Sequence, residues 1–195
     1  MDLLHRKPQS FFKQTFSNLK FSNTSILEKD FEGCSFKKCT FIEVGFHTCK
    51  FLDTQFDDCV LSAVKPLNSS FMEVTFKDSK VMGVDWTKAK SIHFLSFFNS
   101  QIDYSNFSFL KLPKLVLKQC TAREVDLTEA DLTDSNFECT DFEGAKFHKT
   151  NLSKANFKKA FNYLIDFQTN TLKKTEFSMP EVVSLLKNLD IIIKE

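Results

Sequence analysis

Phenylalanine falls at positions 31, 36, 41, 46, 51 and 56 without a miss, in the stretch FEGCSFKKCTFIEVGFHTCKFLDTQF. A period of five fits neither common element. On an α-helix a step of five residues turns about 140°, so the rings would scatter around the axis. On a flat strand, residues an odd number apart point to opposite faces. One path puts every ring on the same side: the chain turns a corner after each five residues, and four short sides close a square coil of twenty. Stacked coils then pair backbone to backbone at about 4.8 Å, the spacing of neighbouring strands.

A second residue class keeps the same time. Two places before each ring stands a small or β-branched residue, Cys34, Cys39, Val44, Cys49, Thr54 or Cys59, which must also face inward. Downstream, the run VDLTEADLTDSNFECTDFEGAKFHKTNLSKANF contains Ala130-Asp131-Leu132 and Ala155-Asn156-Phe157 in the order Ala-(Asp/Asn)-(Leu/Phe)-x-x. With these motifs in register the chain resembles the pentapeptide-repeat proteins. The resemblance implies an all-β solenoid, a right-handed quadrilateral β-helix.

Residues 1–10 precede the repeat as a leader. The inward frame then runs from Phe11 through Phe56 to Leu61, Pro66, Phe71, Phe76, Val81 and Trp86. There it slips by one and resumes at Ile92, passing Phe97, Ile102, Phe107, Leu132, Phe157, Asn162, Phe167 and Leu172 to end at Phe177. The repeat thus covers 11–177, with a one-residue slip near 87–92. That slip reads as a bulge, or as a hinge joining two coil stacks, marked by the large Trp86. Pro66 lacks an N–H and points to a distorted side. Phe94, Phe98 and Phe109 take outward places nearby, either as a partner surface or tucked away by local irregularity.

Residues 178–195 change rules. Ser178-Met179-Pro180-Glu181 has capping-box spacing, with proline tolerated in a first turn. Val182, Val183, Leu185, Leu186 and Leu189 follow helical spacing, and Ile191, Ile192 and Ile193 form a β-branched run. The expectation is a short C-terminal α-helix and tail that plug the open coil end. Its apolar arc is wider than a plug needs. In Qnr-type and MfpA-type members of the family a similar segment forms the dimer interface, so the resemblance implies a homodimer through these residues.

Composition bounds the chemistry. Phe 24 against Tyr 2 and Trp 1 suits stacked interior rings that need no polar handle. Five of six cysteines, Cys34, Cys39, Cys49, Cys59 and Cys120, fall at the small inward place, where a thiol is a compact filler. Cys139 should face out. Neither disulfides nor a metal is expected. The four histidines sit in the leader or at separated outward places, and four glycines make no phosphate loop. No cofactor and no catalysis are expected. With net charge +1 and no apolar run of membrane-spanning length, a cytoplasmic protein without direct nucleic-acid or membrane contact is expected.

The resemblance extends to Qnr-type, MfpA-type and McbG-type topoisomerase-protection members. It implies a non-enzymatic protein that binds DNA gyrase or topoisomerase IV and protects it from quinolones or peptide toxins. The nearly unbroken frame lacks the long loops of Gram-negative Qnr members. The alternative is a scaffold for an unrelated protein target, because fold alone does not give function.

Some members are argued to mimic B-form DNA with a negative rod. One coil here is acidic, with Glu124, Asp126, Glu129, Asp131, Asp134, Glu138, Asp141 and Glu143 and no base from 124 to 143. These are the candidate partner-binding residues. The coil before holds Lys111, Lys114, Lys118 and Arg123, and the coil after holds Lys146, Lys149, Lys154, Lys158 and Lys159. Placing residue n beside n+20 gives eight opposed pairs: Lys111–Asp131, Lys114–Asp134, Lys118–Glu138, Arg123–Glu143, Asp126–Lys146, Glu129–Lys149, Asp134–Lys154 and Glu138–Lys158. A charge ladder that selects coil register is expected, leaving Glu124 and Asp141 as unpaired acids.

Overall fold

The computed structural model describes residues 9–187, 189, 191 and 192. Most of the expected leader, residues 1–8, and Ile193 lie outside them. Residues Gln9 and Ser10 already belong to the first strand and pair with Lys29 and Asp30.

The pentad period is realised as a parallel β-solenoid of about eight turns. Short strands set residue n against n+20, as in Phe11↔Phe31, Phe16↔Phe36, Phe21↔Phe41 and Ile26↔Phe46. These four pairs start the four sides of the square, called first to fourth below. The corners explain how a chain of ordinary residues can turn so often. Two places after each inward residue the backbone is left-handed, as at Asn18 (φ 57°), Lys38 (φ 52°) and Asp58 (φ 52°). L-residues reach this region only at a cost. Coil-to-coil hydrogen bonds offset it at most corners, where the corner amide reaches the next coil: Asn18 N–H to the Lys37 carbonyl at 2.9 Å, Lys38 N–H to Asp57 at 3.0 Å.

Inside, the rings stack up each side and meet edge-on across corners. Phe16, Phe36, Phe56 and Phe76 form one column with centroids 4.8 Å apart. Phe31 and Phe36, on adjacent sides, stand 5.1 Å apart at 72°. Both are favoured aromatic geometries. Between Leu112 and Leu132 the column fillers are smaller, with Leu117, Ala122, Leu127 and Leu132 all fully buried, before rings return at Phe137, Phe142 and Phe157.

The small inward residues do more than fill space. Their thiols and hydroxyls bond the backbone at the corners. Cys59 Sγ donates to the carbonyls of Phe36 and Asp57, both at 3.3 Å, and accepts from the Cys39 amide at 3.3 Å. Ser79 Oγ and Ser69 Oγ accept from the Cys59 and Cys49 amides at 3.0 and 2.9 Å. Cys39 and Cys59, twenty residues apart, thus stack in a hydrogen-bonded column. Lys29 breaks the size rule at this place, for it is wholly buried and partnered.

The frame slip is a bulge, and pairing crosses it unbroken. Asp85 caps a 3-10 turn over Trp86–Lys88, accepting from the Thr87 amide at 3.2 Å. Beyond it Phe71 pairs with Ile92 and Phe76 with Phe97, twenty-one apart. Trp86 is indeed inside, 2% exposed, stacked on Phe107 and edge-on to Phe71.

Two expectations fail at the C-terminal end. Asn162 and Phe167 do not point inward. An amide has no polar partner in an apolar column, so the chain leaves the ladder after Phe161 and rejoins at Thr171. Asn162 turns out to bond Asp141 at 2.8 Å, Phe167 is 40% exposed, and Tyr163 and Ile165 fill the interior instead. The helix is also not α. Glu181–Leu186 is a 3-10 helix with no side-chain cap. The capping box fails because Ser178 Oγ accepts from the Lys159 amide at 2.8 Å, completing the last coil.

Burial pushes the Cys49 thiol up to about 11 and Cys120 up to about 12. Both exceed an unfolded thiol at about 8.5, so above that pH the folded state holds more protons. Their contribution to stability is complete below it and is lost progressively as pH rises from it to about 11–12. At about pH 8, native protein should react with a small thiol reagent only at half-buried Cys139. The other five should appear on unfolding; fewer would reveal disulfides or bound metal.

Candidate protein-interaction surfaces

The filled interior leaves function to the outer surface. Three parts of it can meet a partner: the acidic coil, the C-terminal end and the exposed aromatic corners. One nucleophile and base do approach, Ser25 Oγ and His47 Nε2 at 3.4 Å, but on an exposed side. Among the described residues no three His, Cys, Asp or Glu side chains group to hold a metal ion.

On the acidic coil, half of the eight expected pairs close. Lys118–Glu138 lies at 2.8 Å, Arg123–Glu143 at 3.6 Å, Glu129–Lys149 at 3.8 Å and Asp134–Lys154 at 3.9 Å. The Lys118 ammonium, donating to Glu138, holds that carboxyl below its usual range. The other four stay open for identifiable reasons. Asp126 and Asp131 lie in direct register with Lys146 and Lys111, but their carboxylates accept from the Thr128 and Thr133 amides at 3.0 and 3.2 Å. Those bonds brace the next corner. Asp134 and Glu138 are already taken by their other neighbours.

Asp141, an expected free acid, is not free. Its side chain is 3% exposed and binds Arg123 at 2.8 Å, the Asn162 amide group at 2.8 Å and the Glu143 backbone N–H at 3.2 Å. The sequence hid this because Arg123 reaches it eighteen residues away, diagonally across the coil. Glu124 alone of the eight acids is exposed with neither an ion pair nor a side-chain hydrogen bond among the described residues. The acids therefore do not form an unopposed negative stripe.

At the C-terminal end, Leu185 packs against the core, and Val182 and Val183 are half-buried. Leu186, Leu189, Ile191 and Ile192 are exposed, Ile192 by 87%. Between this segment and Asn162–Leu164 opens a cleft of about 870 Å³. In it Tyr163 Oη and Ser184 Oγ are buried without a hydrogen-bond partner among the described residues. Burial, with Glu181 nearby, pushes the Tyr163 phenol up to about 12. Tyr163 was missed because it sits one place off the inward frame.

Of the three outward phenylalanines, Phe94 and Phe109 are exposed by 54% and 68%, while Phe98 is partly covered. Tyr104, at the same kind of corner, is 58% exposed.

A parallel square solenoid with a filled core defines a class of repeat-built proteins. The chain belongs to the pentapeptide-repeat family: a "pentapeptide repeat region" model matches residues 29–107, and "pentapeptide repeats (8 copies)" matches 100–138 and 126–161. Two solved structures of QnrB1, described as a plasmid-mediated fluoroquinolone resistance protein, share the fold. Both are of trypsin-treated single-substitution variants. One aligns with TM-score 0.74 at 18% identity, covering 97% of this chain and 100% of that one. The other gives 0.73 at 18%, covering 96% and 98%. No curated protein sequence matches the chain. Among the described residues no helix is long and apolar enough to cross a membrane.

Asp141→Ala should lower stability by about 1 kcal/mol, since it removes the buried acceptor shared by Arg123, Asn162 and the Glu143 amide. Urea unfolding checks this. A double-mutant cycle on the half-buried, solvent-accessible pair Lys118 and Glu138 should give a small coupling that fades in high salt.

Proposed function

We propose that the protein binds DNA gyrase or topoisomerase IV and shields it from quinolones or peptide toxins, as a non-enzymatic cytoplasmic homodimer. The observation that carries this reading is a coil stack that matches the fluoroquinolone-resistance solenoids over nearly their whole length. A solid rod acts by presenting shape and surface, which suits occupying a site on a large enzyme. A supercoiling assay tests it. The protein should restore gyrase supercoiling in the presence of a fluoroquinolone, and no rescue would turn the reading down.

A second reading, a scaffold for an unrelated protein, draws on one feature. The acidic coil is opposed by lysines on both sides, so its long-range field is weak for a DNA-like surface.

The homodimer is supported by exposed Leu186, Leu189, Ile191 and Ile192 beside two buried hydroxyls that lack partners among the described residues. A covering subunit would remove that apolar area from water. Leu186→Asp combined with Ile192→Asp should yield monomers by light scattering that keep the native circular-dichroism spectrum. Leu185→Asp should instead destabilise the coil end, because that side chain packs inward. A monomeric unmodified protein would exclude the dimer.

A further inference from the structure

The strongest conflict between residue type and place lies just after the frame slip. Corners elsewhere carry mostly Asn, Asp, Glu, Lys or Gly, which are at ease in left-handed backbone or well solvated there. In this coil three corners carry aromatics: Phe94 (φ 55°), Tyr104 (φ 61°) and Phe109 (φ 63°). Bulky residues in this region are outliers, and such strain collects at functional sites. All three rings are more than half exposed, so burial does not compensate.

Phe94 and Phe109 stand at the two corners that flank the first side. Along that side apolar Leu52 and Met72 stand in direct strand register, His93 continues the row, and Phe94 lies next to it. Leu52 and Met72 are 37% and 44% exposed.

The same side is basic at its C-terminal end. From residue 86 to 123 the single acid is Asp103, against six Lys and Arg. Asp103 is nearly buried and accepts from the Arg123 amide at 2.9 Å. Lys88, Lys118 and Arg123 have carboxylate partners; exposed Lys90, Lys111 and Lys114 have none within 4.0 Å among the described residues. The backbone ladder also lapses here. The first-side sheet ends at Ser91–His93, and among the described residues no backbone hydrogen bond joins 90–94 to 110–114. On the neighbouring side it continues, with the Val116 amide on Leu95 at 3.2 Å.

We infer that this side is a docking face for an acidic segment of a partner protein that also carries apolar side chains. The lysines supply charge for its carboxylates, and Phe94, Phe109, Met72 and Leu52 supply apolar contact. A nucleic-acid strand fits less well. It needs cations along its whole track, whereas the Leu52–Met72 end of the row is bordered by the acidic corners Asp53 and Glu73. The inference stands on this face and does not depend on the topoisomerase reading.

The corner strain provides a variant that should not harm the fold. Phe94→Asn with Phe109→Asn places a residue that tolerates left-handed backbone at both corners, so the melting temperature should hold or rise. Binding is read by fluorescence anisotropy on full-length protein with a dye-labelled peptide alternating Glu with Leu and Phe. Polyglutamate and oligothymidylate serve as competing probes. The wild type should bind the mixed peptide most tightly, and the Asn pair should weaken it by about tenfold. Lys90→Glu with Lys111→Glu should weaken it comparably, and salt should weaken the wild type. Tightest binding of oligothymidylate would make the face a nucleic-acid surface and overturn the inference. So would equal affinity for polyglutamate, unchanged affinity in both variants, or no binding of the mixed peptide.

Discussion

The contact of residue n with residue n+20 governs this protein. It sets the backbone ladder, the ring columns, the thiol and hydroxyl column and the charge pairs at once. Parallel strands of three residues are too short to be stable singly. Here most are bonded to a neighbouring coil above and below, so the unit of stability is the neighbouring coil, as in other repeat proteins. Four left-handed corners per turn would be a heavy load for an isolated loop. They persist because most corner amides are held by the coil beside them, as for Asn18 and Lys38.

That dependence explains the chemistry of the inner places. Rings fill a side most regularly where the ring above lies parallel, as Phe16, Phe36, Phe56 and Phe76 do at 4.8 Å. The place two before it lies against the corner, where backbone groups need partners. Cysteine, serine and threonine suit it because they are small and can donate and accept. Valine and alanine suit it where the backbone is already satisfied. Asn170 shows the rule at its limit. It accepts from the Thr150 amide at 2.9 Å and donates to the Phe147 carbonyl at 3.2 Å.

Most of the coil was legible because its period is strict from Phe11 to Phe157. The one-residue slip after Trp86 was legible too, since a change of frame survives averaging over many pentads. The failures share a cause: side-chain hydrogen bonds and diagonal contacts that a period cannot express. Ser178 reads as a helix cap, yet its hydroxyl completes a coil. Asp141 reads as free, yet Arg123 and Asn162 enclose it. Asp126 and Asp131 read as ladder charges, yet they brace corners. Of the acidic coil, the sequence located every residue but could not say which carboxylates the fold itself consumes.

A structure ruled by one register has a consequence for recognition. Where the repeat is obeyed, each coil answers its neighbour, and charge and apolar surface are largely used internally. The acidic coil illustrates this, since Glu129, Asp134, Glu138 and Glu143 each meet a cation of an adjacent coil. Surface free to bind another molecule must therefore gather where the register is interrupted. There are two such places among the described residues. One is the departure after Phe161, which uncovers the cleft at Tyr163 and Ser184. The other is the slip near Trp86, followed by exposed aromatic corners, unpaired lysines and an open stretch of ladder. The perfect pentads build the rod, and its two irregularities give it distinct ends and sides for a partner to tell apart.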